Sequence, residues 1–581
     1  MPSNISEQID FPTRHVSIRV PWHDAGWQGT VCRAPQLNGA CAKLKGIAGS
    51  KQDALEVPFA GMSLEALEQG QWPPCVNERA TFMAPFELQV LKQHALAGVD
   101  KEHYGHFLPT PQRYPAYSAG VVPFRWMMKE HMASYVDLLE VDVDDGREPA
   151  LKYDSAWIHE GGNQAALLEA FAGHLRPEES LCLFYAKHVP FVEGTGRILI
   201  GAGRIKALGS LTEYDRKDGG MRGMVWERPI QHSIRPNGKD GFLMPYQELL
   251  KRAESEPELS LERYTAQAPS EHWEEFSYAS ELVTHDGAIA GLLSMDAALA
   301  AMQDDFGLET EGQREWIRDE LVRLWKVRGP YPGLGAVLSA LGLSRGIFLA
   351  HAIQHSAGDN ADPWPGVDQA FADLGAKLPP ALRRDLKELA STWKKLSDER
   401  RAFLKLLSRF ELTVEQAEAY YEDGSRKKKG WQVSDRAILQ NPYLLYETSR
   451  HHPDGIRLLS VDRGVFPADV VRLQHPLDPP SQLDSPLDLR RIRAFCVDAL
   501  EAASGAGNTL LTKDQLVEVV RRYPVRPECP VTGDILAARA NEMGPVVVPV
   551  LAGETEGFQL DRYVDIATLV KKQVLGRVGG Q

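Results

Sequence analysis

The chain is 581 residues long, with 43% hydrophobic and 25% charged residues and a net charge of -14 at pH 7. This length exceeds what one hydrophobic core supports and predicts roughly three to five domains of ~100–200 residues each, and the composition is that of a globular protein. No apolar run approaches the ~20 residues of a membrane span, and the N-terminus lacks the layout of a signal peptide. The six scattered cysteines do not form a disulfide framework. We therefore expect a cytoplasmic protein without membrane contact.

Residues 1–150 are rich in Trp, Pro and Gly and predict one clear strand, His15–Val20, whose Val and Ile side chains alternate onto one face. Four side chains of this segment are candidate ligands of a structural zinc ion: His23, Cys32, Cys41 and Cys75. Three thiolates and one imidazole satisfy the tetrahedral coordination of zinc. None of the cysteine pairs has the short spacing of a zinc finger, so buried free cysteines stay the alternative.

Residues 151–270 predict an α/β domain, with a helix over Gln164–Leu175 and buried strands at Leu181–Ala186 and Arg197–Ile205. Three aromatic side chains near these strands could stack on a flipped base or fill the core: Phe184, Tyr185 and Trp226. Five polar side chains would serve a hydrolase, although their spacing matches no known catalytic pattern: Asp24, Glu78, Arg79, His103 and His106. A modified-base sensor or a nuclease in the N-terminal half is therefore an alternative hypothesis.

Residues 271–471 predict an almost wholly helical region. Its clearest helices are Glu311–Val327, Pro380–Arg409 and Val414–Tyr421. A hairpin built from Pro and Gly follows the first helix. Glycine at the start of a helix leaves backbone N–H groups uncovered, and such groups bind phosphate oxygens. The hairpin therefore predicts a helix-hairpin-helix unit that grips the nucleic-acid backbone without reading bases. Gly333 and Gly335 would expose the amides, and Arg328 and Arg345 would pair with phosphate; an ordinary tight turn is the alternative.

Basic residues concentrate in the same third of the chain, although the acidic net charge opposes binding of a polyanion. Lys427 and Lys428 lie in a stretch that predicts a basic loop, and Trp431 and Tyr443 predict stacking platforms for single-stranded bases. Three turns are candidates for gripping phosphate: Tyr331–Gly335, Gly424–Gly430 and His452–Gly455. A helical stretch carries six further cations: Lys394, Lys395, Arg400, Arg401, Lys405 and Arg409. A solvated helix face is the alternative for such a run.

Residues 472–487 predict a proline-rich linker. Residues 488–581 predict two helices, a hairpin of two short strands and a closing helix, which together suggest a small winged-helix-like domain. The whole chain is thus predicted to be a multidomain α+β protein. It has an α/β N-terminal half, a mainly α helix-hairpin-helix array and this C-terminal unit.

Short motifs in the C-terminal half carry a family resemblance. They are Asn441-Pro-Tyr-Leu444, Val465-Phe-Pro-Ala-Asp469, Asp488–Ala494, Gly507–Leu511 and Phe558–Tyr563. Through them, about residues 315–575 resemble the N-terminal, pre-motor part of RecD-like superfamily 1 DNA helicases, the free-standing kind with tandem helix-hairpin-helix units. The resemblance implies a role on DNA, in repair or in defence against foreign DNA. Residues 1–270 have no counterpart in it.

The sequence contains no Gly-x-x-x-x-Gly-Lys-Ser/Thr string, which a nucleotide-hydrolysing motor needs to hold phosphates. We therefore expect no ATPase or helicase activity from this chain alone, and a motor that is either a separate polypeptide or part of a longer protein. The sequence predicts a non-sequence-specific accessory part of a RecD-like helicase that binds the backbone of single-stranded or forked DNA. The alternative is a protein–protein scaffold that docks a partner ATPase.

Overall fold

The computed structural model describes residues 11–35, 57–67, 80–132, 141–192, 196–217, 219–256, 258–376, 378 and 380–578. The chain divides into two compact units, Met1–Leu321 and Val322–Gln581. The strands are β1 His15–Arg19, β2 Leu88–Lys92, β3 Thr110–Tyr114, β4 Ser118–Val121, β5 Leu181–Ala186, β6 Ile198–Leu208, β7 Arg228–His232, β8 Phe242–Leu243, β9 Ser280–Val283, β10 Leu511–Thr512, β11 Val547–Ala552 and β12 Thr555–Leu560.

The α-helices of the first unit and the junction are α1 Lys101–Tyr104, α2 Gly161–Gly173, α3 Tyr246–Ser255, α4 His285–Phe306 and α5 Glu311–Arg328. Those of the second unit are α6 Leu334–Ala340, α7 Gly346–Ala357, α8 Trp364–Ala372, α9 Pro380–Lys395, α10 Asp398–Leu407, α11 Val414–Tyr421, α12 Asp423–Lys428, α13 Asp435–Gln440, α14 Leu444–Ser449, α15 Leu458–Val465, α16 Asp469–Arg472, α17 Leu489–Gly505, α18 Lys513–Arg521, α19 Gly533–Arg539 and α20 Asp561–Val578.

A seven-stranded sheet forms the centre of the first unit. Its strand order is β4-β7-β6-β5-β1-β9, and β8 also pairs with β6. Strands β1 and β5 run parallel, with Val16 opposite Cys182, while the other pairs in this sheet are antiparallel. Every residue of β5 is buried, as expected where both faces of a strand are covered. The first unit thus has the mixture of helices and strands predicted for the N-terminal half, although only one pair of strands in this sheet is parallel.

The same sheet crosses the predicted boundary at residue 150. Strands β1 and β4 come from the segment predicted as a separate N-terminal domain, and β5 to β8 come from the predicted α/β domain. Strand β9 comes from the region predicted to be helical. Pairing between distant strands leaves no local signal in the sequence, so the prediction divided one sheet into two domains.

One hydrophobic core runs through the second unit from Tyr331 to Leu560. The helix predicted over Pro380–Arg409 is two helices, α9 and α10, because Ser397 between them caps α10 by accepting a hydrogen bond from the backbone N–H of Arg400. The segment predicted as a linker crosses this core. Leu483 is 6% exposed, and the Ser481 hydroxyl donates to the Leu439 carbonyl at 2.7 Å, so residues 481–483 anchor this segment to the unit, whereas Leu473 is 71% exposed.

The C-terminal part of the second unit contains the predicted two helices, hairpin and closing helix, together with two elements that were not predicted, β10 and α19. Helix α17 is followed by β10, α18 and α19, and then by the β11–β12 hairpin and α20. The three strands form an antiparallel sheet in the order β10-β12-β11. Thr512 and Gln515 form a capping box that starts α18.

No helix in the described part of the chain combines the length and the apolar character that crossing a bilayer requires.

Candidate nucleic-acid interface

The predicted phosphate-gripping hairpin between α5 and α6 is covered by protein. The Gly333 amide donates to the Ser408 carbonyl at 3.0 Å, and a Cβ at Gly333 would lie 1.9 Å from the Phe410 carbonyl oxygen. A Cβ at Gly335 would lie 3.0 Å from the Cα of Ile347 on α7. Both glycines therefore allow close packing, and the prediction that Gly333 exposes its amide to phosphate is wrong because this amide is bonded to Ser408.

Arg328, predicted to pair with phosphate at this hairpin, is 4% exposed and donates to the backbone carbonyls of Gly329 and Arg409 at 3.2 and 3.3 Å. Its guanidinium also lies over the Trp325 ring, at 5.1 Å from the centroid. Arg345 is 30% exposed and lies 3.8 Å from the Asp385 carboxylate. Arg328 is thus part of the core, and Arg345 sits in an internal ion pair. The turn at His452–Gly455 is packed in the same way, since a Cβ at Gly455 would lie 2.3 Å from a backbone carbonyl oxygen.

The two predicted base-stacking side chains are buried. Trp431 is 3% exposed and stacks on Tyr420, with ring centroids 4.6 Å apart and an interplanar angle of 25°. Tyr443 is fully buried, and its hydroxyl donates to the Asp462 carboxylate at 2.6 Å. Neither ring offers a face to a base, so both residues are removed from the candidate interface.

The basic stretch predicted as a loop is the helix α12. Arg426 is buried and ion-paired with Asp423 and Asp435, and Lys429 lies 2.7 Å from Asp454. The hydrogen bond and charge of Lys429 lower the pKa of Asp454. Lys427 and Lys428 between these anchors are exposed. Two of the predicted cations are therefore available on the surface of the second unit, near the C-terminal end of a helix.

Helix α9 has a basic face, of which the sequence analysis named only the cations at the C-terminal end. Its exposed cations recur at intervals of three, seven and one residues: Arg384, Lys387, Lys394 and Lys395. Residues three, four and seven apart share a face of a helix. Glu388 is the single exposed acid of α9. The helical spacing was present in the sequence, but the prediction singled out only Lys394 and Lys395.

Two adjacent arginines at the start of α10 connect this helix to the end of α9 and to α12. Arg401 donates to the backbone carbonyl of Trp393, near the end of α9, at 2.8 Å. Arg400 pairs with Asp423 of α12 at 3.5 Å and with Asp435 of α13 at 2.6 Å. In the sequence these two arginines belong to a run of cations that could be a binding face or a solvated face; in the structure they contact neighbouring helices instead.

We call the resulting set the basic surface: Arg384, Lys387, Lys394, Lys395, Lys427 and Lys428. None of these six side chains forms an ion pair within the part of the chain that the structure describes. An elongated polyanion can therefore contact them without first breaking an internal salt bridge.

A separate cluster in the first unit contains two of the predicted zinc ligands. Ligand atoms of His23, Asp24 and Cys32 all lie within 4.8 Å of one another. His23 and Cys32 are 3% and 2% exposed. One ring nitrogen of His23, Nε2, contacts the Thr30 carbonyl oxygen at 2.8 Å, as the second nitrogen of a metal-bound imidazole commonly does. The other two predicted ligands, Cys41 and Cys75, lie outside the described residues.

The remaining candidates in the N-terminal half have structural partners. Phe184 and Tyr185 are fully buried in β5, and His106 contacts the Met221 carbonyl oxygen at 2.7 Å. His103 lies 2.8 Å from the Asp100 carboxylate. Glu78 and Arg79 lie outside the described residues. The two buried rings fill the core, so they form no pocket for a flipped base.

The chain matches no protein-family model, no curated protein and no solved structure.

Proposed function

We propose that this chain binds the sugar-phosphate backbone of DNA, without sequence specificity, through the basic surface of its second unit. The observation that supports this proposal is the set of six exposed cations on α9 and α12 that form no ion pair with any described residue. Each phosphate neutralised by such a cation releases condensed counterions, which favours binding whatever the base sequence. The positive surface is local, so it acts at short range within an acidic protein.

We further propose that α17 to β12 form a winged-helix-like unit, supported by the order of its helices and the strand order β10-β12-β11. Its β11–β12 hairpin carries Glu554 and Glu556 and no cation. A wing of this charge repels a phosphate backbone. The proposed DNA contact is therefore assigned to the basic surface and not to this hairpin.

A role beside a RecD-like motor is supported by the sequence resemblance and by the last helix. Helix α20 has no buried residue and exposes six large apolar side chains: Val578, and five that are each between 51% and 58% exposed, Ile566, Leu569, Val570, Val574 and Leu575. These five recur at intervals of three, one, four and one residues, which places them on one stripe of the helix. In the resembling helicases the corresponding segment leads into the motor, so the second candidate function is docking of a separate RecD-like ATPase on this stripe. Leu569→Glu should abolish co-purification with such an ATPase and leave DNA affinity unchanged.

A structural zinc ion in the first unit is proposed on the cluster of His23, Asp24 and Cys32. The imidazole and the thiolate are ligands that zinc prefers, and the His23 ring is already held by a backbone carbonyl. The metal would tie the segment after β1 to the turn around Thr30. Such a role is structural, and no catalytic step is assigned to it.

The DNA-binding proposal is tested by charge reversal at the end of α9. Fluorescence anisotropy of labelled single-stranded, duplex and forked DNA, each in two unrelated sequences, should show weaker binding by Lys394→Glu/Lys395→Glu, by a similar factor for both sequences. The matched control is Lys239→Glu/Lys251→Glu, which makes the same change in net charge at two exposed lysines of the first unit. Equal weakening by both double variants would mean that only overall charge matters, and would refute the assignment to the basic surface.

A further inference from the structure

A cavity of about 150 Å³ lies in the second unit, between the end of α10, helices α15 and α16, and the segment that follows them. Among the described residues, its polar lining consists of Arg409, Arg472 and Gln482 and includes no acidic side chain. Apolar side chains, among them Val465, Leu477 and Leu483, complete the walls. A single water occupies about 30 Å³ in the liquid, so the cavity accommodates a small polyatomic anion together with bridging water.

Arg409 is a buried cation without a counter-ion among the described residues. Its side chain is 2% exposed, and its Nε donates to the Gly464 carbonyl at 3.3 Å. Its Nη1 has no hydrogen-bond partner in the structure, and the guanidinium lies 5.3 Å from the centroid of the Tyr331 ring. Burial lowers the pKa of Arg409. A buried charge with neither an ion pair nor a full set of hydrogen bonds destabilises a fold unless something else pairs with it.

Arg472 presents a second guanidinium to the same cavity with part of its hydrogen-bonding capacity unused. Its Nη2 donates to Asp469 at 2.6 Å, its plane lies over the Phe466 ring at 4.6 Å, and its Nε has no partner in the structure. Asp469 offsets the charge of Arg472, whereas Arg409 has no counter-ion among the described residues, so the lining carries one uncompensated positive charge.

The chemistry of this lining selects a phosphate group. Guanidinium groups present parallel N–H donors that match the oxygens of phosphate, and charge-assisted hydrogen bonds of this kind are the strongest that side chains form. The two guanidinium groups both supply N–H donors, and the Gln482 amide adds a neutral donor, so the lining matches the four oxygens of a phosphate better than the two of a carboxylate. We propose that this cavity binds the doubly charged phosphate of a phosphate monoester or of inorganic phosphate. This site is separate from the basic surface, and the proposal does not depend on the proposed DNA-backbone binding.

Thermal unfolding of the full chain tests the proposal, with inorganic phosphate added against sodium chloride at matched ionic strength. Phosphate that binds the folded state raises Tm, with the shift growing as its concentration passes Kd. Arg472→Gln removes one charge-assisted pair and should weaken phosphate binding about ten- to a hundredfold. Arg409→Met removes the uncompensated buried charge, so it should keep or raise Tm without phosphate and abolish the phosphate-dependent shift. Arg436→Gln, at an exposed arginine of α13 outside the cavity, should behave as wild type.

Two further arms identify the source of the phosphate. A short oligonucleotide with a 5′-phosphate is compared with the same oligonucleotide carrying a 5′-hydroxyl, in wild type and in Arg472→Gln. A preference for the phosphorylated end that Arg472→Gln removes assigns the cavity to a nucleic-acid terminus. A shift with inorganic phosphate and no preference between the oligonucleotides assigns it to a free phosphate compound. An equal rise of Tm in wild type, Arg472→Gln and Arg436→Gln would show a general salt effect, and either that result or no rise at all overturns the proposal.

Discussion

Replacing Asp462 by Asn should expose how strongly one buried ion pair holds the second unit together. Arg491 of α17 is 0% exposed and Asp462 of α15 is 2% exposed. Nε and Nη2 of Arg491 donate to the two carboxylate oxygens at 2.8 and 2.9 Å. Burial alone lowers the pKa of Arg491, but the paired carboxylate more than offsets this and raises it. The pair therefore joins two helices through a bidentate contact in the core.

The expected loss of stability depends on how the buried charge of Arg491 is compensated once Asp462 is replaced by Asn. Removing one partner of a buried pair costs about 3–5 kcal/mol because the other charge stays buried without compensation. Arg491 retains hydrogen bonds to three backbone carbonyls, those of Pro486, Pro527 and Glu528. These remaining acceptors place the expected loss for Asp462→Asn near the lower end, at about 3 kcal/mol in the free energy of unfolding.

The chain has two units, so a signal from the whole protein would mix their unfolding transitions. Hydrogen exchange at the amides of α17, measured at increasing urea concentration, reports the stability of the second unit alone. Tyr443→Phe removes one buried hydrogen bond to the same carboxylate and should cost about 1–2 kcal/mol, with no change in DNA affinity. Glu518→Gln, at an exposed ion pair with Arg522, should leave the stability nearly unchanged. A loss below about 1 kcal/mol for Asp462→Asn would refute this account of the core.

Three other perturbations probe the two units. Burial raises the pKa of the Glu281 carboxyl to about 8, whereas a glutamate in the unfolded chain has a pKa of about 4.3. The folded state therefore holds the proton more tightly, and the stability that this provides at low pH is lost as the pH rises towards 8. In the wild type, the free energy of unfolding should therefore fall by up to about 1.4 kcal/mol per pH unit between pH 5 and 8. Glu281→Gln should remove this dependence, which urea unfolding at several pH values measures. Gly333→Ala places a Cβ 1.9 Å from the Phe410 carbonyl oxygen and should destabilise the second unit by about 1–3 kcal/mol, while Gly424→Ala, with open space around it, should be neutral or slightly stabilising. Atomic absorption should find zinc in the purified protein, and Cys32→Ser should remove the zinc and lower Tm; a metal-free wild-type protein would contradict the zinc proposal.

The sequence correctly predicted the helices and strands that depend on residues close together in the chain. The apolar run Leu181–Ala186 is strand β5, and Val414–Tyr421 is α11 because Thr413 and Gln416 form a capping box at its start. The pairing of β1 with β5, more than 160 residues along the chain, has no local signature.

Burial caused the errors at the candidate site. Trp431 and Tyr443 look like exposed platforms in the sequence, but each has a partner elsewhere in the chain, Tyr420 and Asp462, that holds it in the core. Glycines of a turn have the same appearance whether they face a ligand or another backbone. The cations of α9 and α12 remained accessible because their helical spacing keeps them on outer faces, and that spacing can be seen in the sequence.

The dependence of DNA affinity on salt tests the proposed backbone binding most directly. A plot of log Kd against log salt concentration changes its slope by about 0.9 for each phosphate contact with duplex DNA and about 0.7 with single-stranded DNA. Lys427→Glu/Lys428→Glu should therefore reduce the slope by about 1.4–1.8 and weaken binding at low salt, while Lys239→Glu/Lys251→Glu leaves the slope unchanged. An unchanged slope and affinity in the first double variant would contradict DNA binding through the basic surface.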